Sequence, residues 1–299
     1  MNEEIIREIK ELKKRKNAVI LAHNYQLPEI QDIADILGDS LELAIRAKEA
    51  REDVIVFCGV RFMAETAKIL NPKKTVLIPE KDAGCPLADF LTPEMVIAAR
   101  RDHPGAAVVL YVNSTAASKA EADIICTSAN AVEVVRSLDA TTILFGPDSN
   151  LADYVQSKVP EKTIIPLPPQ GHCYVHELFT CDDVIEAADR GDVTICHPEC
   201  PREVRGGSDI VASTGGMVRM AENAESWTLL TERDMAHRLR TLFPDRAFHV
   251  KEEAICRDMK KTTLESVLRA LRTDTYEILL PDEIMNRARA PIERMLALR

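Results

Sequence analysis

"VILAHNYQLPEIQDIADILGDS", residues 19–40, is the first of three related segments in this chain. It consists of an apolar strand, a polar loop, an Asp-Ile pair and a small hydroxyl residue. The same order recurs in "VVLYVNSTAASKAEADIICTSA" (108–129) and "VTICHPECPREVRGGSDIVAST" (193–214). The equivalent residues Asp35, Asp123 and Asp209 are 88 and 86 positions apart. A repeat of this length predicts that the chain is built from copies of one supersecondary unit.

A second strand and a closing cysteine extend the repeat. The second strands are "VIVFCGV" (54–60), "TILFGPD" (142–148) and "WTLLTER" (227–233), and a helical stretch follows each of them. Every unit then closes on a cysteine, at Cys85, Cys173 and Cys256. Short apolar strands that are bounded by turn residues and alternate with helices indicate parallel βαβ units.

The repeat predicts an α/β fold of three homologous three-layer α/β/α domains with parallel sheets, arranged around a pseudo-threefold axis with a central active site. The expected domains are residues 1–84, 85–172 and 173–258, each within the usual size range. Residues 259–299 add the helical pattern "TTLESVLRALR", a short strand "TYEILL" and an amphipathic helix that starts at Pro281. We expect this C-terminal segment to pack back on the first repeat.

The composition excludes several classes of function. No apolar run reaches the roughly 18 residues of a membrane span, and the charged N-terminus "MNEEIIREIKELKKRKN" lacks the apolar core of a signal peptide. The formal net charge of −10 argues against nucleic-acid binding, which requires a basic surface. We therefore expect a cytoplasmic protein that binds neither membranes nor nucleic acid. Its eight cysteines are expected to be reduced thiols, available for metal binding or catalysis.

Polar residues occupy the same loop positions in every unit. Ligands of open parallel sheets bind beyond the carboxyl ends of the strands, so these loops are expected to face one central cavity. Histidine, tyrosine and glutamate transfer protons, whereas hydroxyl groups near helix starts either hold an anionic substrate or cap the helix. The positions are the strand-end residues His23, Tyr111 and His197, the residues two places further on, Tyr25, Asn113 and Glu199, and the hydroxyl residues Ser40, Ser128 and Thr214.

The three closing cysteines supply three thiolates and no fourth. They fit a cubane iron-sulfur cluster whose fourth iron is open to water or substrate, and they also fit zinc with one open position. An open metal site beside proton-transfer groups favours elimination or condensation at a carbonyl compound. Two other classes stay open, a noncatalytic iron-sulfur electron carrier, which would normally have a fourth cysteine, and a zinc-dependent, aldolase-like enzyme.

Further motifs match one known family. The segments "GVRFMAETAKILNP" (59–72), "GHCYVH" (171–176), "HPEC" (197–200), "STGGM" (213–217) and "MKKTTLE" (259–265) occur in the order found there. Over its whole length the chain resembles the quinolinate synthase A family of NAD biosynthesis. The resemblance implies three related α/β domains and one 4Fe-4S cluster held by Cys85, Cys173 and Cys256, with one open iron. Longer family members carry a CxxCxxC motif near the third cysteine, whereas this chain has only Cys256 there.

The resemblance also implies a reaction. Iminoaspartate (iminosuccinate) condenses with dihydroxyacetone phosphate to quinolinate with loss of phosphate and water, which links the protein to the enzyme that produces iminoaspartate. Our mechanistic hypothesis is that the open iron polarises the condensing intermediate while Tyr25, Glu199 and His197 relay protons. His23 and Tyr111 complete the expected catalytic set, and His176, next to Cys173, is a further candidate substrate contact. The contacts implied by the family are His23, Ser40, Tyr111, Asn113, Ser128, His197, Glu199 and Thr214, with Tyr25 as the acid/base residue.

Overall fold

Helices and strands alternate along residues 2–298, the part of the chain that the computed structural model describes. Met1 and Arg299, the outer ends of the predicted first domain and of the C-terminal segment, lie outside the described residues. The first unit contains α1 (Asn2–Arg15), β1 (Ala18–His23), α2 (Pro28–Ile33), β2 (Ile36–Gly38), α3 (Ser40–Glu49), β3 (Val54–Cys58), α4 (Arg61–Leu70) and β4 (Thr75–Leu77). The second unit contains α5 (Pro86–Asp89), α6 (Pro93–Asp102), β5 (Ala107–Tyr111), α7 (Ala116–Lys119), β6 (Ile124–Cys126), α8 (Ala131–Arg136), β7 (Thr142–Gly146), α9 (Ser149–Lys158) and β8 (Thr163–Pro166).

The third unit repeats the alternation, and two further helices follow it. The third unit contains a 3-10 turn (His176–Leu178), α10 (Cys181–Arg190), β9 (Val193–Cys196), α11 (Arg202–Gly207), β10 (Ile210–Val211), α12 (Thr214–Met220), a 3-10 turn (Ala221–Asn223), β11 (Ser226–Leu230), α13 (Met235–Leu242) and β12 (Ala247–Val250). The C-terminal segment contains a 3-10 turn (Met259–Lys261), α14 (Leu264–Thr273) and α15 (Asp282–Ala297).

Each unit forms one four-stranded sheet whose strand pairs are all parallel. The strand orders are β2-β1-β3-β4, β6-β5-β7-β8 and β10-β9-β11-β12. In every unit the first long strand thus lies between a short edge strand and the second long strand. The common order confirms the predicted fold class of three related α/β domains with parallel sheets.

Helices cover both faces of these sheets. Successive side chains of a strand point to opposite faces, and in β1 Leu21 packs with residues of α3 and α4, whereas Ile20 packs with residues of α1 and α14. The same division occurs in β11, where Leu229 and Leu230 belong to two separate apolar clusters. Burying a side chain of this size contributes about 1.5–3 kcal/mol. The alternation therefore holds the sheet between two helical layers.

The aspartate that marks each repeat supports the central strand of its unit. A carboxylate oxygen of Asp35 accepts the backbone N–H of Ile20 at 2.8 Å. Asp123 accepts from Val108 at 2.7 Å, and Asp209 accepts from Thr194 at 2.8 Å. Each aspartate comes directly before the short edge strand. Its side chain therefore satisfies a backbone N–H of the central strand that lies beyond the start of the edge strand. A structural contact thus explains this part of the repeat.

The C-terminal segment packs against two units. Helix α14 packs against α1 and β3 of the first unit, while α15 packs against α7 and β6 of the second unit as well as α4 of the first. The expected strand at residues 275–280 is reduced to one antiparallel bridge between Glu277 and Leu77. Among residues 2–298, α15 is the longest helix, and none is both long and apolar enough to cross a membrane.

A close backbone approach explains the glycine before the second closing cysteine. A Cβ at Gly171 would lie 1.9 Å from the carbonyl oxygen of Pro147, whereas one at Gly206, in α11, would meet no atom within 4 Å. We expect Gly171→Ala to lower the free energy of unfolding by about 1–3 kcal/mol, the usual cost of overpacking. Gly206→Ala is the matched control and should be neutral or slightly stabilising. Chemical unfolding of both variants measures the difference, and equal stabilities would show that the loop yields without strain.

Candidate active site

The carboxyl ends of β1, β5 and β9 open onto one cavity lined by all three units. Every candidate site residue from the sequence analysis lies on its wall: His23, Tyr25, Ser40, Cys85, Tyr111, Asn113, Ser128, Cys173, His176, His197, Glu199, Thr214 and Cys256. Apolar side chains, among them Phe62, Met63 and Met259, line the wall between the polar groups. The repeat therefore brings equivalent loops from distant parts of the chain to one place.

Each closing cysteine stands at the start of one helical turn. Its thiol accepts the backbone N–H of the residue three places later, which is Ala88, His176 or Met259. Its carbonyl oxygen accepts the N–H four places later, from Asp89 at 3.2 Å, Glu177 at 3.0 Å and Lys260 at 3.3 Å. Seven residues after each cysteine, a threonine is the N-cap residue of α6, α10 or α14: Thr92, Thr180 and Thr263. The three cysteines are thus held in the same way.

The three thiols share a protected environment. Burial raises the pKa of Cys85, Cys173 and Cys256, while the N–H donor at each thiol acts in the opposite direction. A buried thiolate therefore needs a positive partner, and a metal centre supplies one. A second set of possible metal ligands includes Cys173. Its thiol lies close to a ring nitrogen of His176 and a carboxylate oxygen of Glu199, and the three atoms are within 4.8 Å of one another.

Two strand-end histidines are fixed as neutral hydrogen-bond donors. Nδ1 of His23 accepts the backbone N–H of Tyr25 at 3.2 Å, and Nδ1 of His197 accepts that of Glu199 at 3.3 Å. Burial lowers the pKa of both imidazoles to about 3. A neutral ring that accepts at Nδ1 carries its proton on Nε2. Nε2 of His197 accordingly donates to Ser128 Oγ at 3.1 Å.

Glu199 is the buried anion of the cavity. Burial raises its pKa, but His197, His176 and a hydrogen bond from Tyr111 outweigh that effect and hold the pKa below its usual value. The Tyr111 hydroxyl donates to Oε1 at 2.5 Å, and Nδ1 of His176 lies 2.7 Å from Oε2 in a bent approach. Burial and the charge of Glu199 raise the pKa of Tyr111. The carboxylate is thus ionised and faces two proton-bearing groups.

A threonine that the sequence analysis did not identify extends this contact to Tyr25. Nε2 of His176 lies 3.0 Å from Thr231 Oγ1, which lies 2.6 Å from the Tyr25 hydroxyl. Burial, followed by the charge of Glu199, raises the pKa of Tyr25, so its hydroxyl keeps its proton. Because Nδ1 of His176 faces an anion, Nε2 of a neutral ring is the acceptor, and the Thr231 and Tyr25 hydroxyls donate toward it. A continuous chain of polar groups therefore joins Tyr25 to Tyr111.

The equivalent hydroxyl residues do not cap helices. Asp39 caps α3 by accepting the Glu42 N–H at 2.9 Å, and Ser213 caps α12 by accepting the Gly216 N–H at 3.2 Å. Ser40 and Thr214 are therefore the first residues inside these helices, and both line the cavity. Ser128 lies in the turn before α8, whose N-cap residue is Asn130. The capping alternative is wrong for all three hydroxyls, because a neighbouring residue occupies the N-cap position.

Thr231 and Glu232 follow β11 and break the repeat. Glu232 is fully buried and lines the cavity. The equivalent pairs are Gly59 and Val60 in the first unit and Pro147 and Asp148 in the second. Comparison of the copies therefore could not identify Thr231, whereas Glu232 has an acidic and equally buried counterpart in Asp148. The signal available was a polar Thr-Glu pair directly after the apolar strand "WTLL", at the carboxyl end of a parallel strand.

Comparison with known proteins agrees with this architecture. The family model described as Quinolinate synthetase A protein matches residues 7–297. The chain is 54% identical over 297 residues to the quinolinate synthase of Pyrococcus furiosus, with 98% of each chain covered. It is 52% identical to that of Methanothermobacter thermautotrophicus, with 99% of each chain covered, and 50% identical to that of Thermotoga maritima, with 98% of this chain and 99% of the relative covered. These matches span the three units and the C-terminal segment together, so the resemblance read from the motifs is confirmed and the chain belongs to the quinolinate synthetase A protein family.

Proposed function

We propose that this protein is a cytoplasmic quinolinate synthase that condenses iminoaspartate with dihydroxyacetone phosphate and releases phosphate and water. The observation that carries the proposal is the single cavity in which three equivalently held thiols lie beside an ionised carboxylate and neutral donors. In this reading an enzyme that produces iminoaspartate supplies one substrate. Family membership and the names of the relatives support the same reaction.

Cys85, Cys173 and Cys256 are the residues that would hold a 4Fe-4S cluster. The donor set fits, because each unit contributes one soft sulfur ligand that is half-buried and receives an N–H hydrogen bond. When bound, such a cluster supplies a Lewis-acidic iron that has no protein ligand. Hydrogen bonds to the sulfurs are one of the means by which proteins tune these centres.

A zinc-dependent enzyme is the second candidate, and one observation favours it. Cys173, His176 and Glu199 form a group compact enough for one metal ion. Their proximity has another explanation in the chain of polar groups, since Glu199 faces His176 and also accepts a hydrogen bond from Tyr111. A zinc site would also leave Cys85 and Cys256 without a role, although both are held in the same way as Cys173.

The polar chain is the proposed route for protons. Glu199 accepts a proton from substrate carbon, because it is ionised, and the Tyr25 hydroxyl donates one to a leaving oxygen, because it is neutral. Glu199 and Tyr25 are restored when Glu199 passes its proton to Nδ1 of His176 and Nε2 of that ring, 3.0 Å from Thr231 Oγ1, passes one through Thr231 to Tyr25. This return requires the His176 tautomer that carries its proton on Nε2. We assign this relay to His176 rather than to His197, whose Nδ1 is occupied by a backbone N–H.

The remaining polar residues are proposed to orient the substrate. His23 and His197 present Nε2–H groups suited to carbonyl or carboxylate oxygen, and the hydroxyls of Ser40, Ser128 and Thr214 are suited to carboxylate or phosphate. Asn113 Oδ1 is buried and, among the described residues, accepts no hydrogen bond. An N–H or O–H group of the substrate would satisfy it. Two-ended binding of this kind converts a two-substrate condensation into a positioned reaction.

Anaerobic purification followed by metal analysis and an activity assay tests the proposal. We expect about four irons per chain with matching sulfide, and quinolinate formation from the two named substrates. Stoichiometric zinc without iron would support the zinc enzyme instead. A complete cluster without quinolinate formation would favour the electron carrier, so each alternative has its own outcome.

A further inference from the structure

We propose that Lys260 is a positioning residue that couples the Cys256 loop to the Tyr25 loop, an inference that rests on the proposed function of those two residues. Lys260 lies on the 3-10 turn that follows Cys256. Its Nζ atom donates to the carbonyl oxygen of Tyr25 at 2.5 Å. The same atom lies 2.7 Å from Glu232 Oε1 and 2.7 Å from Asp234 Oδ2. The ammonium group therefore contacts one carbonyl and two carboxylate oxygens, and its approach to Asp234 Oδ2 is an ion pair rather than a hydrogen bond.

Glu232 connects the ammonium group to the cysteine. Its Oε1 accepts the backbone N–H of Cys256 at 3.2 Å, and its Oε2 accepts that of Asp234 at 2.9 Å. The side chain of Glu232 is fully buried and that of Lys260 is 14% exposed. A buried carboxylate that loses its cation keeps its desolvation penalty, so removal of Lys260 disturbs the backbone that Glu232 holds.

A second contact joins the same two loops. Gln26, the residue after Tyr25, donates from Nε2 to the sulfur of Met259 at 3.3 Å. The backbone N–H of Met259 in turn donates to the Cys256 thiol. Two short series of contacts therefore link Cys256 to the loop of Tyr25, and only the series through Lys260 includes charged side chains.

The link matters because the Tyr25 hydroxyl must reach a partner in another unit. Tyr25 follows β1, whereas Thr231, 2.6 Å from its hydroxyl, follows β11. A misplacement of about 1 Å in a reacting group can cost about 10²-fold in rate. Lys260 holds the Tyr25 carbonyl to Glu232 and Asp234, which come directly after β11 and Thr231. It thereby sets the distance on which the proposed proton route depends.

The neighbouring lysine is a matched control. Lys261 Nζ donates to the Asp82 carbonyl oxygen at 2.5 Å and to Asp258 Oδ1 at 2.6 Å. Its side chain is 41% exposed, and it does not line the cavity. Lys261→Met removes the same charge from the same turn and, although Lys261 pairs with Asp258, it leaves every contact of Lys260 with Tyr25, Glu232 and Asp234 in place.

A double-mutant cycle separates positioning from general destabilisation. We expect Lys260→Met to lower kcat by about 10- to 10²-fold with a smaller change in KM, and Lys261→Met to leave both within about twofold of wild type. In the Tyr25→Phe background no hydroxyl is left to position, so Lys260→Met should lower kcat by less than about twofold. Equal factors in the two backgrounds would overturn the proposal.

Iron release provides a measurement that does not depend on turnover. Protein reconstituted with iron and sulfide is mixed with a ferrous chelator, and Lys260→Met is expected to release iron several-fold faster than Lys261→Met, because the Cys256 backbone has lost its support. Equal release rates would also overturn the coupling. If Lys260→Met fails to fold in thermal unfolding, Lys260→Arg replaces it, since it keeps the charge but cannot direct three donors from one atom. Wild-type protein that forms no quinolinate would instead contradict the proposed function, and the release comparison would still test Lys260.

Discussion

Replacement of Cys85, Cys173 or Cys256 by Ser, one at a time, is expected to abolish both iron binding and quinolinate formation. The three thiols are held by equivalent turns, one in each unit. If all three bind one metal centre, loss of any one of them should therefore have the same effect. A serine hydroxyl is harder than a thiolate and deprotonates far less readily, which makes it a poor iron ligand. Residues that only support a metal ligand cost 10- to 100-fold when replaced, so turnover should fall by more than about 10²-fold.

Two other cysteines provide controls for this prediction. Cys58 is fully buried in β3, among apolar side chains, and Cys181 is exposed at the start of α10. Cys58→Ala and Cys181→Ser should keep the iron and sulfide content of wild type, although Cys58→Ala will lose some stability from its small cavity. The measurements are iron, sulfide and the visible absorption spectrum under anaerobic conditions. Equal iron loss from Cys58→Ala and Cys85→Ser would contradict the assignment of the ligands.

Tyr25→Phe is expected to lower turnover by about 10²- to 10⁴-fold while the fold and the metal content survive. The substitution removes the hydroxyl that contacts Thr231 at 2.6 Å. It keeps the ring, which packs edge-on against His23 with ring centroids 4.6 Å apart. Because burial and the charge of Glu199 keep this hydroxyl protonated, it is the donor at one end of the polar chain. Loss of the hydroxyl therefore removes a proton donor and leaves the packing of the ring unchanged.

Tyr154→Phe is the control for the tyrosine change. The Tyr154 ring packs beneath Arg205, away from the cavity, so removal of its hydroxyl should leave kcat within about twofold of wild type. Steady-state kinetics under anaerobic conditions, with iron content measured on the same samples, compares the two variants. Near-native turnover of Tyr25→Phe would reduce Tyr25 to a packing role and remove it from the proposed proton route.

Much of the fold could be read from residue spacing. The strands, their order along the chain and the three closing cysteines all follow a repeat of similar interval, and βαβ periodicity is a local property of the sequence. Two features of the C-terminal segment could not be read in this way. Helix α15 packs mainly on the second unit, and the predicted strand is a single bridge at Glu277. Both depend on which surfaces remain uncovered once the three units have packed together.

Most of the residues that line the cavity could likewise be predicted from the repeat. His23, Tyr111 and His197 line it because equivalent strand ends converge, and this requires only the repeat and a parallel sheet. Whether Ser40 and Thr214 cap their helices, in contrast, depended on the exact residue at which each helix starts, and a difference of one residue decided it. Spacing arguments place helix ends only to within a few residues.

The repeat in the sequence thus suffices for the fold class, the cavity and the equivalence of the three cysteines. Contacts between units required the folded structure: Thr231 joins His176 to Tyr25, 206 positions away, and Lys260 reaches the Tyr25 carbonyl across 235 positions. Thr231 and Lys260 have no residue of the same type at the equivalent positions of the other units, so comparison of the copies could not identify them. The physical reason is the distance over which each signal acts. The period of apolar residues depends only on which face of a single helix or strand is buried. A hydrogen bond between units, in contrast, forms only when the packed structure brings two atoms within about 3 Å of each other.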